Sequence, residues 1–186
     1  MSGNFLKILG FMFGPKPTVR YHVDNILNKA RRKLWTLRHV KKAGMKEEDM
    51  MKIFNTIIRP CLEYAVPTFG PMLTEEMKNE LESIQKRACK IVFGWDSSYS
   101  ELIASGRVES LEKRREKLIL NFAHKCVKNP RFVSWFPERN YDGMNVELRA
   151  RQKYEEKYAR TERLKKSPIF HMRRALNEKI REEASL

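Results

Sequence analysis

Paired carboxylates are missing from this sequence. Its four aspartates, Asp24, Asp49, Asp96 and Asp142, are isolated, and no Asp-Asp pair occurs. A two-metal centre for phosphoryl transfer needs several acidic groups converging on hard cations, so that chemistry has no seat here. Glu47, Glu48 and Asp49 do cluster, but they fall where the first turn of a helix favours acid. There is no Gly-x-x-x-x-Gly-Lys phosphate loop and no His-Glu-x-x-His zinc motif. His124 and Cys126 are two residues apart, which on a helix turns them to different sides, and His22, His39 and His171 lack evident ligand partners. No catalytic residue, no metal site and no cofactor are therefore expected. The three cysteines, Cys61, Cys89 and Cys126, are odd in number, widely spaced and without a Cys-x-x-Cys pair. Each lies in an apolar helical pattern, which predicts buried free thiols and a reducing compartment. No apolar run approaches the length of a membrane span. The stretch from Met1 to Gly14 is partly apolar but has neither a basic leader nor a small-residue cleavage site, so a signal peptide is not expected.

Positive charge is what the chain has in excess. Lys and Arg total 38 against 23 Asp and Glu, a net charge of +15 over 186 residues. With a pI near 9.9, such a chain repels itself when compact, and a polyanion relieves the repulsion. Nucleic acid is the first partner this suggests, and an anionic membrane surface the second. A merely soluble basic protein is the bland alternative. Hydrophobic residues make up 41%, enough for a modest core and too many for wholesale disorder.

Apolar periodicity outlines a mainly α-helical bundle. Residues 4–13 are short, apolar and aromatic and run into Gly14-Pro15-Lys16-Pro17, which predicts a strand or hairpin arm closed by a breaker cluster. Val23, Ile26, Leu27, Ala30, Leu34 and Leu37 mark a helix over 22–42, with Gly44 as its stop. A second helix spans about 47–64 on Met50, Ile53, Phe54, Ile57, Ile58 and Leu62, with Pro60 expected to bend or end it. Thr74 is placed to cap a third, whose inner face carries Met77, Leu81, Ile84, Ala88, Ile91 and Val92, with Gly94 beyond its end. Ser98 and Glu101 have capping-box spacing ahead of a short helix. Ser110 begins a longer one bearing Leu111, Leu118, Ile119, Phe122, Ala123 and Val127, closed by Asn129-Pro130. Residues 138–166 are mostly polar and charged, a solvated helix or a linker. Ser167-Pro168 then opens a last helix on Ile169, Met172, Leu176 and Ile180.

The first helix is the leading candidate for a binding surface. Trp35 lies off its apolar stripe, and its neighbours at helical spacing are Arg31, Arg32, Arg38, His39 and Lys42. An indole framed by cations can stack on a base while the cations hold phosphates. The alternative is an indole packed on another helix, or seated under Arg31 or Arg38. Lys86, Arg87 and Lys90 on the third helix, and Arg114, Arg115 and Lys117 on the later one, form two further clusters. The tail adds Arg160, Arg163, Lys165, Lys166, Arg173 and Arg174. A solvated face accounts for any one cluster, but together with the net charge they favour a shared basic surface.

Several phrases stand in an order that resembles one family. They are Leu9-Gly10-Phe11 followed by His22, Lys29-Ala30-Arg31, Ile58-Arg59-Pro60 with Leu62-Glu63-Tyr64-Ala65, and Leu81-Glu82-Ser83-Ile84-Gln85-Lys86-Arg87-Ala88. Ser98-Tyr99 with Leu102, Leu111-Glu112-Lys113-Arg114-Arg115, Phe132 through Pro137, Arg163 through Ile169, and Leu176-Asn177 continue the series. Together they resemble the reverse transcriptases of jockey-like non-long-terminal-repeat retrotransposons. The resemblance implies a stretch downstream of the polymerase active site. Residues 1–18 would be a palm-end, primer-grip-like β arm and 19–137 a helical thumb-like domain. Residues 138–166 would be a basic linker or solvated helix, and 167–186 a C-terminal helix. It implies a role in holding an RNA or RNA–DNA duplex by its backbone, inside the cell, in nucleus or cytoplasm, with no membrane partner. The family's Tyr-x-Asp-Asp has no counterpart here, so the chain is expected not to copy RNA by itself. The resemblance thus implies a truncated fragment that lacks the palm and fingers domains of the parent polymerase, and Mg2+ would belong only to an intact polymerase. A stand-alone nucleic-acid adaptor and a protein-interaction module are the competing readings. The apolar arm is expected to be an exposed edge when alone, so that deleting residues 1–14 would improve solubility.

Overall fold

The apolar stripes fold as helices, and the chain is mainly α with a short antiparallel hairpin at its start. The computed structural model describes residues 6–13, 18–140, 152–156 and 158–184. The breaker cluster at 14–17 and most of the early part of the polar stretch, 141–151, lie outside the described residues. Two compact units are formed, one from Met1–Val66 and Leu73–Arg115, the other from Pro67–Met72 and Glu116–Leu186. Residues 19–137 are thus shared between two units, because one division falls between Arg115 and Glu116, inside a continuous helix.

The first unit is built around α1 (Arg20–Lys42). Its buried face comprises His22, Val23, Ile26, Leu27, Ala30, Leu34 and Leu37. These meet α5 (Glu75–Phe93), which buries Met77, Leu81, Ile84, Ala88, Ile91 and Val92. Burying each large aliphatic side chain contributes about 2 kcal/mol before the entropy cost of ordering. The two helices run side by side in the same direction. Arg20 Nη2 reaches Glu80 Oε1 at 3.0 Å near their starts, and Lys41 Nζ donates to the Val92 carbonyl at 3.3 Å near their ends. Thr74 caps α5 as its position suggests, its Oγ1 accepting from Met77 N at 3.3 Å. Gly94 ends it with φ of 105°.

Between α1 and α5 the chain forms α2 (Glu47–Ile53), a π-helical turn (Phe54–Ile58) and α3 (Arg59–Glu63). The wide turn answers Pro60, which has no N–H and whose ring would press on the carbonyl of Thr56 in a regular helix. It also rotates the stripe, so that Ile58 and Phe54 are buried while Ile57 faces out. The Ile57 carbonyl is taken up by Lys33 Nζ at 3.0 Å, and the same ammonium lies 3.0 Å from Cys61 Sγ. Cys61 is therefore only half-buried, a correction to the expectation of three buried thiols. Cys89 and Cys126 are buried, and burial together with nearby Glu82 pushes the Cys89 thiol up to about 11.

After α4 (Val66–Phe69), α5 and α6 (Tyr99–Ala104), α7 (Leu111–Lys128) follows. Ser98 stands at the head of α6, but its hydroxyl contacts Ser100 Oγ at 2.8 Å and accepts no capping N–H, so the capping box does not form. Ser110 does cap α7, accepting from Lys113 N at 3.3 Å. The inner side of α7 consists of Leu111, Arg115, Ile119, Ala123 and Cys126, and Phe122 is exposed rather than inward.

The arm contains both of its own strands. β1 (Leu6–Ile8) pairs with β2 (Phe11–Phe13) in the register Leu6 with Phe13, Lys7 with Met12 and Ile8 with Phe11. Leu9 and Gly10, both at positive φ, make the tight turn. The hairpin is latched to the first unit. Phe11 stacks on His22 with ring centroids 4.0 Å apart, Met12 N donates to His22 Nδ1 at 3.4 Å, and the Tyr64 hydroxyl donates to the Leu9 carbonyl. A Cβ at Gly10 would sit 3.3 Å from the Tyr64 ring, so glycine is fitted there by space as well as by φ. Deleting the arm would strip Phe11 from His22. The apolar side chains of the arm that face solvent are Leu6, Ile8 and Leu9. Because the arm is packed on His22 and Tyr64 and is not merely an exposed edge, the expectation for its deletion reverses: removing residues 1–14 should lower the soluble yield, whereas replacing Leu6 and Ile8 with Thr and Lys should raise it. Equal yields from parent and the double variant would contradict this.

In the second unit, α9 (Pro168–Ala184) organises irregular backbone. Asn177 accepts from Tyr154 N at 2.9 Å and donates to the Tyr154 carbonyl at 3.0 Å and to Glu156 Oε1 at 2.9 Å. Arg173, one turn earlier, donates to the carbonyls of Trp135 and Glu155 at 2.7 and 3.2 Å. Both side chains are buried, as satisfied polar groups under an irregular segment must be. The described residues between 138 and 160 form an isolated bridge, Glu138 with Tyr154, and not a helix. Only the short α8 (Glu162–Lys165), capped by Thr161, precedes α9.

Candidate nucleic-acid interface

The outer face of α1 follows from the inner one. With every third or fourth residue committed to the core, Arg31, Arg32, Trp35, Arg38, His39 and Lys42 are left exposed together. Between Asp24 and Glu47 no acidic residue occurs, so these cations have no carboxylate on their own helix within reach. His39, Lys41 and Lys42 also complement the partial negative charge at the helix end. Trp35 is 59% exposed, which settles its place outside the core. Its indole lies against the His39 ring, centroids 3.5 Å apart, and His39 Nδ1 is 3.0 Å from the Trp35 carbonyl. The result is a tilted ring pair, its planes 35° apart, edged by guanidinium and ammonium groups. Lys33 belongs to the same helix but is turned toward Ile57 and Cys61.

Lys86, Arg87 and Lys90 are likewise exposed, on α5. Lys86 sits over the Tyr99 ring at 5.5 Å and Lys90 over the Trp95 ring at 5.6 Å. Arg107 lies over Phe93 at 5.3 Å. Trp95 and Arg107 had no sequence signal beyond their type. They stand in turns, where no periodicity separates an exposed aromatic from a packed one.

Arg114 and Arg115 are placed differently from the expectation of phosphate contacts. The Arg114 guanidinium embraces Glu63, with Nη2 at 3.0 Å from Oε2 and Nε on Oε1, and reaches Glu109 at 3.4 Å. These carboxylates raise its already high pKa, Glu63 foremost. A charge neutralised in this way has little left for a phosphate. Arg115 is buried against its neighbours with 6% of its surface exposed. Arg173 of the tail is inside too, its charge disfavoured by burial. The surface cations of the first unit that were anticipated and are outward-facing are thus Arg31, Arg32, Arg38, Lys42, Lys86, Arg87 and Lys90.

No cluster of three or more His, Cys, Asp or Glu side chains able to hold a metal occurs among the described residues. No helix among them is long and apolar enough to cross a membrane. The face of α1 from Arg31 to Lys42 is a chemically simple one: fixed cations, a ring pair and no acid on that stretch of the helix. Comparison with family models, with curated proteins and with solved structures gives no match for this chain.

Proposed function

We propose that this chain holds nucleic acid, gripping the backbone of an RNA–DNA or RNA duplex as the thumb-like part of a jockey-like non-long-terminal-repeat reverse transcriptase would. The observation that carries the reading is the acid-free outer face of α1 beyond Asp24, where Arg31, Arg32, Arg38 and Lys42 are exposed around Trp35. Cations on a rigid helix release counterions from phosphates and bind with little regard to sequence. The Trp35–His39 ring pair adds an aromatic surface for the sugar and base edges of a shallow groove. The ordered phrases that resemble the family support the same role. In this reading the copying chemistry, its Mg2+ and its acidic residues belong to palm and fingers partners, and no cofactor is held here. The setting is intracellular, where such a template is found.

The test is binding to a blunt RNA–DNA hybrid by the parent, by Arg31→Ala/Arg32→Ala and by Trp35→Ala. Lys52→Ala is the control, since Lys52 is exposed but paired with Asp49 at 2.9 Å. The double variant is expected to lose about tenfold or more in affinity, and its salt slope to fall by about 2, near one for each phosphate contact. Trp35→Ala is expected to weaken binding with the slope unchanged, and Lys52→Ala to change nothing. Equal losses in all variants would sink the assignment to α1.

A further inference from the structure

We propose that the turn after α5 is a stacking site for single-stranded nucleic acid, with Trp95 as the platform and Lys86, Lys90 and Arg107 as its phosphate holders. The proposal deepens the duplex-holding role and rests on it, while assigning a separate feature of the ligand, an unpaired strand beside the duplex. Trp95 is 71% exposed, the most exposed tryptophan of the chain. It stands directly after Gly94, whose φ of 105° turns the backbone away from the helix axis, and Ser97 holds the turn by donating to the Gly94 carbonyl at 2.7 Å.

The base beneath the turn is firm. Cys89, Leu102 and Val108 form a buried cluster against which Phe93 and Tyr99 pack. Tyr99 is fixed further by hydrogen bonds to Glu82 and to Gln85, the latter at 2.8 Å. Three rings in succession, Phe93, Trp95 and Tyr99, therefore each carry a cation at 5.3–5.6 Å. A lysine over one side of an indole enhances its polarisation and sits where a phosphate linking stacked bases would run.

Single-stranded rather than duplex nucleic acid fits this turn for two reasons. Bases inside a duplex have both ring faces covered by their neighbours, whereas each base of an unpaired strand can offer a face to an indole. The charge is also less one-sided than on α1, since Asp96 and Glu101 stand among Lys86, Arg87, Lys90 and Arg107, so stacking must contribute a larger share. The position suits such a strand. Lys41 Nζ meets the Val92 carbonyl at 3.3 Å, which sets the last turn of α1 beside the last turn of α5. A duplex lying along α1 would deliver a single-stranded extension to Trp95.

The experiment uses the full chain as Trp35→Phe/Trp135→Phe, leaving Trp95 as the only indole. Oligothymidylate is expected to quench its fluorescence saturably, and Lys90→Ala to weaken that binding. In the otherwise unaltered chain, a hybrid with a single-stranded overhang is expected to bind about tenfold tighter than the blunt one, and Trp95→Ala to abolish the difference. Circular dichroism of Trp95→Ala should match the parent, because the side chain is exposed. Absence of quenching, or an overhang preference that survives Trp95→Ala, overturns the proposal. So does an equal response to polyglutamate or to anionic vesicles, which would mark an acidic-protein or membrane surface. Quenching by oligothymidylate without any binding of the blunt hybrid would sustain this site and refute the duplex role. The reverse pattern would do the opposite.

Discussion

Asn177→Ala is expected to destabilise the second unit by about 3 kcal/mol. The side chain serves the Tyr154 N–H and C=O at 2.9 and 3.0 Å, and Tyr154 is itself buried. Alanine leaves one buried donor and one buried acceptor without a partner, each costing about 1–3 kcal/mol. Buried backbone groups need partners, and among the described residues this irregular segment has one isolated bridge and no ladder of its own to supply them. Asn177→Asp should be at least as damaging, because it sets a carboxylate against the Tyr154 carbonyl and Glu156. Urea unfolding followed at Trp135, with Trp35 and Trp95 changed to Phe, measures this unit. An unchanged midpoint for Asn177→Ala would show that the clamp contributes nothing.

Acidification is expected to loosen the first unit before its carboxylates titrate. His22 is 1% exposed, and burial first, then the Lys29 ammonium, push its imidazole down to about 4, with the Tyr64 backbone contact acting the other way. The unfolded chain takes up this proton near 6.5, so between the two values it binds more protons than the folded one. The contribution is complete above about 6.5 and is lost as pH falls toward 4. Between pH 7 and pH 5 the loss amounts to about 2 kcal/mol. Protonation would also oblige Nδ1, the acceptor for Met12 N, to become a donor, so the hairpin should be released first. Urea midpoints at the two pH values, for the parent and for His22→Gln, measure this. A parent whose midpoint changes no more than that of His22→Gln would contradict it.

The helices are legible because their apolar residues recur at three and four, and the stripes of α1 and α5 are the faces those helices bury. What was not legible depends on partners far apart in sequence. Arg114 and Arg115 look like their neighbours on paper. Glu63, fifty-one residues away from Arg114, takes the first, and the burial of the second follows from the packing of α7. Phe122 and Ile57 carry apolar side chains to the surface, the latter because a π-helical turn shifts the stripe by one residue. Lys33 was one more cation in a basic run, and its contact with Cys61 joins two helices. Asn177 and Arg173 hide as ordinary polar residues in an amphipathic helix. At the interface, the exposure of Trp35 was left open by the sequence, and Trp95 had no signal at all, since a turn has no face to read.

The most direct measurement is the affinity of the intact chain for a blunt RNA–DNA hybrid across a salt series. Four or more exposed cations along α1 should give a log-affinity slope of about −3 or steeper against log salt. Binding that is absent at low salt, or that stays level as salt rises, would contradict a backbone-gripping role.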